Sequence, residues 1–266
     1  MRPLARAQFN SGAPGDQRHF ESVRLISMPA GLDGNPNPIQ TAQRNAVLCA
    51  VADRVCTANG SRVLVGIDGR SGAGKSTFAD ELGSALRLRG RIVIRSTTDS
   101  FHRPRDARLE RGLTSADGYF LDSHQLDRIV SELLIPFQQG ADEVLISAFD
   151  EPTDTTLESV VGVPSNAVLV FDGLFLHRDE FANLWDMSVY LDADERQDVD
   201  WVQFLLDDLP LNSTKRAAEL DNRLEAARWP RYRHGWSAYV DDFGPRSRAT
   251  VVVDNNDLAH PRILDT

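Results

Sequence analysis

The stretch "GRSGAGKS", Gly69 to Ser76, narrows the choice of fold more than any other part of the chain. It fits the spacing G-x-x-x-x-G-K-[ST], with Gly69, Gly74, Lys75 and Ser76 at the fixed places. The glycines let backbone N–H groups turn inward around phosphate oxygens, the lysine brings a positive charge to the terminal phosphates, and the serine hydroxyl can join a Mg²⁺ shell. Such a loop needs a strand before it and a helix after it, and both are legible here. "RVLVGID" (62–68) is a short apolar run with β-branched residues that suits a buried strand. From 74 to 89, Phe78, Leu82, Ala85 and Leu86 keep helical spacing, and Gly90 ends the helix.

The alternation continues along the chain. "RIVIRS" (91–96), "EVLISAF" (143–149), "AVLVFDG" (167–173), "MSVYLDA" (187–193) and "RATVVVDN" (248–255) read as strands. "SHQLDRIVSELL" (123–134) reads as a helix capped by Ser123, and a polar helical region runs to about 228. A further helix from about Pro38 to Asn59 carries Ile39, Ala42, Ala46, Val47, Ala50, Val51 and Val55 at helical spacing. Residues 1–38 are rich in Gly, Pro, Asn and Asp and read as a flexible extension ahead of a domain over 39–266. The expected architecture is an α/β fold of the P-loop NTPase class, in three layers (α/β/α), with a mostly parallel five-stranded sheet and a lid segment at about 207–233. Ligands in such a sheet gather at the carboxyl ends of the strands.

Composition excludes several roles. With 266 residues and 41% hydrophobic content the chain can bury a full core. A formal net charge of −10 argues against a nucleic-acid partner, because that binding rests on a basic surface. No long apolar run and no signal-peptide pattern occur, so no membrane partner and a cytoplasmic location are expected. Cys49 and Cys56, two helical turns apart, are expected to be buried free thiols. Among phosphate-loop proteins, a GTPase would need N-K-x-D and D-x-x-G, and a transport ATPase an LSGGQ-like signature. None is present; Asp172 begins "DGLF", and "VDNND" (253–257) has no lysine. These absences favour a small-molecule kinase.

The strand at 91–96 ends on the same edge of the sheet as the phosphate loop, so Asp99 in "RSTTDSFHRPR" (95–105) would project into the site. A carboxylate there can take the proton of an attacking hydroxyl, although "TTDS" is equally a capping sequence.

From "DSFH" (99–102) onward the chain resembles the uridine kinase and phosphoribulokinase group of P-loop kinases, whose members carry "DSFY" or "DDFY" after the second strand. The resemblance covers about residues 62 to 262 and implies that Asp99 is the catalytic base, with ATP and Mg²⁺ as cofactors. The loop residues Gly69, Arg70, Ser71, Gly72, Ala73, Gly74, Lys75, Ser76 and Thr77 would hold the nucleotide, and Lys75 would also serve catalysis. "VLVFDGLFLHRDEF" (168–181) is similar to the family's "VVLFEGILAF", which places Asp172 beside Mg²⁺ with Ser76. "YFLDSHQLD" (119–127) resembles "FDHPDAFD", which suggests Asp122 for sugar hydroxyls. The tail from "YRHGWSAY" to "VVVDNNDLAHPRIL" is similar to the family's ending.

Where the better-known uridine and cytidine kinases carry "YDFVSHSR", this chain has "AFDEPTDTTLES" (148–159). Phe149 would stack on a base, while Asp154 stands in the place of a base-reading histidine and, when ionised, accepts but cannot donate. His102 replaces the family's tyrosine and is a candidate substrate contact. Arg223, Arg228 and Arg231 are the lid candidates for phosphate contact, with Arg231 the best placed by resemblance; surface ion pairing with Glu219 and Glu225 is the competing reading. The expected function is ATP-dependent phosphorylation of a nucleoside hydroxyl, most plausibly uridine or cytidine at the 5′ position. The alternatives are a kinase for a pantothenate-like or sugar-like metabolite, or a nucleotide-binding regulatory protein without acceptor chemistry. A homo-oligomer stays open.

Overall fold

Val63, Leu64, Val65 and Ile67 all lie fully buried in strand β1 (Val63–Gly69), because β1 runs through the middle of a parallel sheet covered on both faces. The computed structural model describes residues 41–58, 60–112, 114–194 and 230–264. Seven further strands follow: β2 (Ile92–Thr97), β3 (Glu143–Asp150), β4 (Thr155–Gly162), β5 (Ala167–Gly173), β6 (Met187–Asp192), β7 (Val251–Asp254) and β8 (Arg262–Leu264). The main sheet has the order β2-β5-β1-β6-β7-β8. Its first five strands are parallel, as the sequence predicts, and β8 adds a sixth, antiparallel to β7.

The register aligns the strand ends that matter. Thr97 of β2 pairs with Asp172 of β5, and Asp172 pairs with Ile67 of β1. Asp68 lies beside Gly173 on one side and Tyr190 on the other. One edge of the sheet therefore presents the chain leaving β2, the phosphate loop leaving β1 and Asp172 in a row.

Helices α1 (Ala42–Thr57) and α2 (Lys75–Arg87) pack on one face, where Val51, Val55, Phe78 and Leu82 meet Val65, Val170 and Val189. On the other face lies α4, which is α-helical at Leu126–Arg128, π-helical through Ile129–Leu134 and α-helical again at Ile135–Gln138. Its Ile129, Leu133 and Phe137 pack on Leu64, Leu169 and Phe171. A third cluster joins α3 (Ala116–Asp122) to α5 (Pro230–Phe243) through Tyr119, Phe175 and Tyr239.

Four expectations are corrected. The 143–149 strand is absent from the main sheet; as β3 it forms a separate antiparallel hairpin with β4. The helix expected at 123–134 starts at Leu126 after Gln125, while Ser123 Oγ donates to the Tyr119 carbonyl, so Ser123 caps nothing there. That helix also continues past Pro136: the proline has no N–H to give, and the wider π turn ahead of it accommodates the missing bond. Cys49 is exposed and Cys56 half-buried, so the two free thiols are not both interior. Residues 1–38 and most of the expected lid, with Arg223 and Arg228, lie outside the described residues. Among the described residues no helix is long and apolar enough to cross a membrane.

Candidate active site

The loop from Gly69 to Gly74 turns as its glycines dictate. Gly74, the cap of α2, has φ +78°, a left-handed conformation that side chains resist, and a Cβ on Gly69 would stand 2.8 Å from the Leu191 carbonyl oxygen. The start of α2 points its first N–H groups and the positive end of its dipole into the loop. Lys75 Nζ reaches across and donates to the Arg70 carbonyl at 2.7 Å. From the end of β7, Asn255 Nδ2 donates to the Ala73 carbonyl at 2.8 Å. Asn255 is itself buried, and its Oδ1 accepts from Arg44 of α1, which also grips Glu81 of α2. The "DN" at the end of β7 thus pins the back of the phosphate loop.

Asp172 ends β5 beside the loop, almost wholly buried. Its Oδ2 accepts from the Ser76 hydroxyl at 2.7 Å and its Oδ1 from Arg95 at 2.7 Å. Arg95 also donates to Asp80 of α2 and to the Val170 carbonyl. Arg95 is thus the side chain that fixes the Asp172 carboxylate.

Asp99 sits on a single 3₁₀ turn, Thr98–Phe101, whose neighbours hold it still. Thr98 and Phe101 are fully buried, and Thr98 packs so closely on Gly173 that a Cβ there would come within 2.3 Å of its side chain. Thr97 Oγ1 caps the turn by accepting from the Asp99 N–H at 3.3 Å. The Asp99 carboxylate is the exposed member of the turn. It opens on a cleft of about 370 Å³ lined also by Ser100, His102, Ser147, Phe149, Asp150, Glu151, Pro152 and Leu157. That volume falls in the range of small-molecule sites, roughly 300–1,000 Å³. The β3–β4 hairpin forms one wall, and Ser96 Oγ of β2 ties it to the sheet through the Ile146 carbonyl.

Beneath the loop lies a buried polar network that sequence patterns did not announce. Asp68 accepts from the Tyr239 hydroxyl through Oδ2 and from the Gly69 N–H through Oδ1 at 2.8 Å. His177 Nδ1 meets Asp68 Oδ2 at 2.9 Å, and its Nε2 meets Ser188 Oγ at 3.1 Å. The order Asp, His, Ser resembles a hydrolytic relay, but all three are buried and Ser188 offers no approach to a substrate, so the network is structural. Burial and the Asp68 carboxylate push the Tyr239 phenol far up, which keeps it a donor. We expect Tyr239→Phe, which leaves the buried His177 N–H without its acceptor and takes one donor from Asp68 Oδ2, to lower the free energy of unfolding by about 1–3 kcal/mol in denaturant titrations.

The other expected residues fall as follows. Phe149 and His102 line the cleft. Asp122 and Asp154 are outside its lining: Asp122 is engaged by Arg111 at 2.7 Å and Arg103 at 3.4 Å, and Asp154 Oδ1 accepts from the Arg105 N–H at 2.8 Å. The expected sugar contact and base-reading position are thereby occupied with capping and ion pairing. Arg231 is buried, stacked near the Tyr119 and Tyr232 rings, and donates to the Arg108 carbonyl at 3.3 Å. His124 is the residue the sequence did not single out. Segment 101–103 pairs with 123–125, which lays the His124 ring 4.7 Å from that of His102.

A strand, a glycine-turned phosphate loop and a helix at the centre of a parallel sheet, with carboxylates on the adjoining strand ends, define the class of P-loop nucleotide-binding α/β proteins. The family model for the phosphoribulokinase / uridine kinase family matches residues 64–241, and the chain belongs to that family. It is similar to the uridine kinase of Leuconostoc citreum (strain KM20), 30% identical over 136 residues that make up 50% of this chain and 63% of that protein. The uridine kinase of Lactobacillus helveticus (strain DPC 4571) is 27% identical over 139 residues, 50% of this chain and 62% of its own. The match therefore spans just under two-thirds of the length of these curated relatives. Among solved structures, a possible uridine kinase from Bacillus stearothermophilus shares the fold with a TM-score of 0.58 at 23% identity, over 79% of this chain and 96% of that one. A candidate fructose transport system kinase from Silicibacter sp. TM1040 has a TM-score of 0.53 at 25% identity, over 69% and 93%.

Proposed function

We propose that this protein is a kinase that moves the terminal phosphoryl group of ATP to a hydroxyl of an uncharged nucleoside, uridine or cytidine at the 5′ position. Membership of the family and the two uridine kinase relatives support phosphotransfer. The observation that carries the acceptor class is the lining of the cleft: Asp99, Asp150 and Glu151 supply carboxylates, and among the described residues no lysine or arginine lines it. Arg108, at its edge, is paired with Glu151 at 3.2 Å. A sugar phosphate, pantothenate or another acid would meet like charge there, while a nucleoside would meet the Phe149 side chain and hydrogen-bond acceptors.

In this account Asp99 accepts the proton of the attacking hydroxyl and aims the oxygen at the donor. Lys75 and the loop amides hold the transferring and leaving phosphates, and Arg231, with Arg223 and Arg228, remains a candidate for charge stabilisation on closure. The hydroxyl of Ser76 and the carboxylate of Asp172, two hard oxygen donors side by side, fit Mg²⁺ and its waters. When bound there, Mg²⁺ would neutralise charge between the terminal phosphates.

A screen of acceptor-dependent ADP release tests the proposal. Uridine or cytidine is expected to stimulate release, and sugar phosphates, pantothenate and glycerate are not. Best stimulation by an anionic acceptor would overturn the acceptor class. No stimulation by any of them would favour a regulatory nucleotide-binding role.

A further inference from the structure

Asp99, His102 and His124 come together from two separate segments. The Arg103 N–H donates to the Ser123 carbonyl at 2.9 Å and the Gln125 N–H to the Phe101 carbonyl at 2.8 Å, locking the two strands of chain on either side of the histidine bridge. One ligand-capable atom from each of the three residues lies within 4.8 Å of the others. Two features of the histidines have no role in phosphoryl transfer as described. His124 is only 5% exposed, and its Nε2, fully buried, has no hydrogen-bond partner. A buried polar atom left unsatisfied in a folded protein calls for an occupant. His102 Nδ1 stands 3.0 Å from the Asp99 carbonyl oxygen. A carbonyl can only accept, so the hydrogen is on Nδ1 and the lone pair on Nε2. A backbone carbonyl fixing one ring nitrogen in this way is the usual support of a metal-ligating imidazole.

We propose that Asp99, His102 and His124 form a binding site for a divalent ion of the zinc class, on the wall of the cleft and separate from Ser76 and Asp172. Two imidazoles and one carboxylate suit Zn²⁺, Co²⁺ or Ni²⁺, whereas Mg²⁺ takes oxygen ligands almost alone. Bonds of about 2.0–2.1 Å place tetrahedral donors roughly 3.4 Å apart, so the set contracts by about an ångström on binding. Asp99 is exposed and supplies that movement by turning its side chain. An ion held there engages the Asp99 carboxylate. On the reading of Asp99 as the proton acceptor, it competes with the nucleoside and not with ATP.

The test is Co²⁺ titration of the chelator-stripped full chain in excess Mg²⁺, followed by visible absorption and by Zn²⁺ displacement. The expected result is one Co²⁺ per chain, displaced by Zn²⁺ but not by Mg²⁺, with no thiolate charge-transfer band. His124→Gln and His102→Gln are each expected to weaken binding by at least about 10-fold. An ATP-induced rise in Tm in both variants checks that the fold is intact, and Asp99→Asn, at an exposed position, gives a third titration should a histidine variant fail to fold. Saturable binding that survives the substitutions, a thiolate band from Cys49 or Cys56, or no Co²⁺ uptake overturns the site. Because the readout is binding, it stands apart from the kinase assay: loss of nucleoside turnover leaves the ion titration interpretable, and the reverse.

Discussion

Asp99→Asn is expected to lower kcat with uridine by at least about 10²-fold while leaving ATP affinity nearly unchanged. The substitution keeps the shape of the side chain and removes its charge and with it its capacity to take a proton. The turn that carries it is held by buried Thr98 and Phe101, and by the close approach of Gly173, none of which involves the carboxylate. A fall in kcat with intact ATP binding and an unchanged Tm therefore isolates proton transfer from folding. Retained turnover in this variant would remove Asp99 from the chemistry and leave the exposed carboxylate as a turn residue.

Lys75→Met should have an effect of similar size by a different route. The ammonium group is the positive side chain at a fixed place of the loop motif, and removing a donor aimed at developing phosphoryl charge typically costs about 10²–10³ in rate. Methionine keeps most of the stem, so the helix start and the Asn255 contact to Ala73 should survive. ATP-dependent stabilisation should weaken in a thermal shift assay, in contrast to Asp99→Asn, which preserves it. Activity within 10-fold of the parent would contradict the assignment of Lys75 to the transferring phosphates.

The two variants differ in how visible their residues were. Lys75 is legible because its neighbours in sequence are also its neighbours in function: the glycines, the preceding apolar run and the following helix are all local. The parallel strands were legible for the same reason, being short buried runs between turns. The run at 143–149 shows the limit, since an apolar strand buried in a hairpin looks like one buried in a sheet, and only its antiparallel pairing with β4, from Glu143 with Gly162 to Asp150 with Thr155, distinguishes them. Arg95 and Asp172 are far apart in the chain, and nothing local marks one arginine among many as the partner of a buried carboxylate. Tyr239, His177 and Asp68 meet across three elements, so each alone passes for an ordinary core or surface residue. His124 was hidden because its role depends on an isolated two-residue bridge to His102.

The same distinction explains the cleft. Resemblance drew attention to Asp122 and Asp154, but both carboxylates are taken up by neighbouring arginines and backbone N–H groups. The lining instead draws on Asp150 and Glu151, which the motif comparison passed over. Acceptor preference is accordingly expected to follow charge more than the pattern of hydrogen bonds on a base.

The central claim, phosphoryl transfer to an uncharged nucleoside, is tested most directly by phosphorus NMR of the mixture after incubation of the protein with ATP, Mg²⁺ and uridine. The account predicts equal amounts of ADP and of a 5′-phosphomonoester of uridine, neither formed without the protein nor by Asp99→Asn on the same timescale. ADP with inorganic phosphate and no nucleoside phosphomonoester would contradict it.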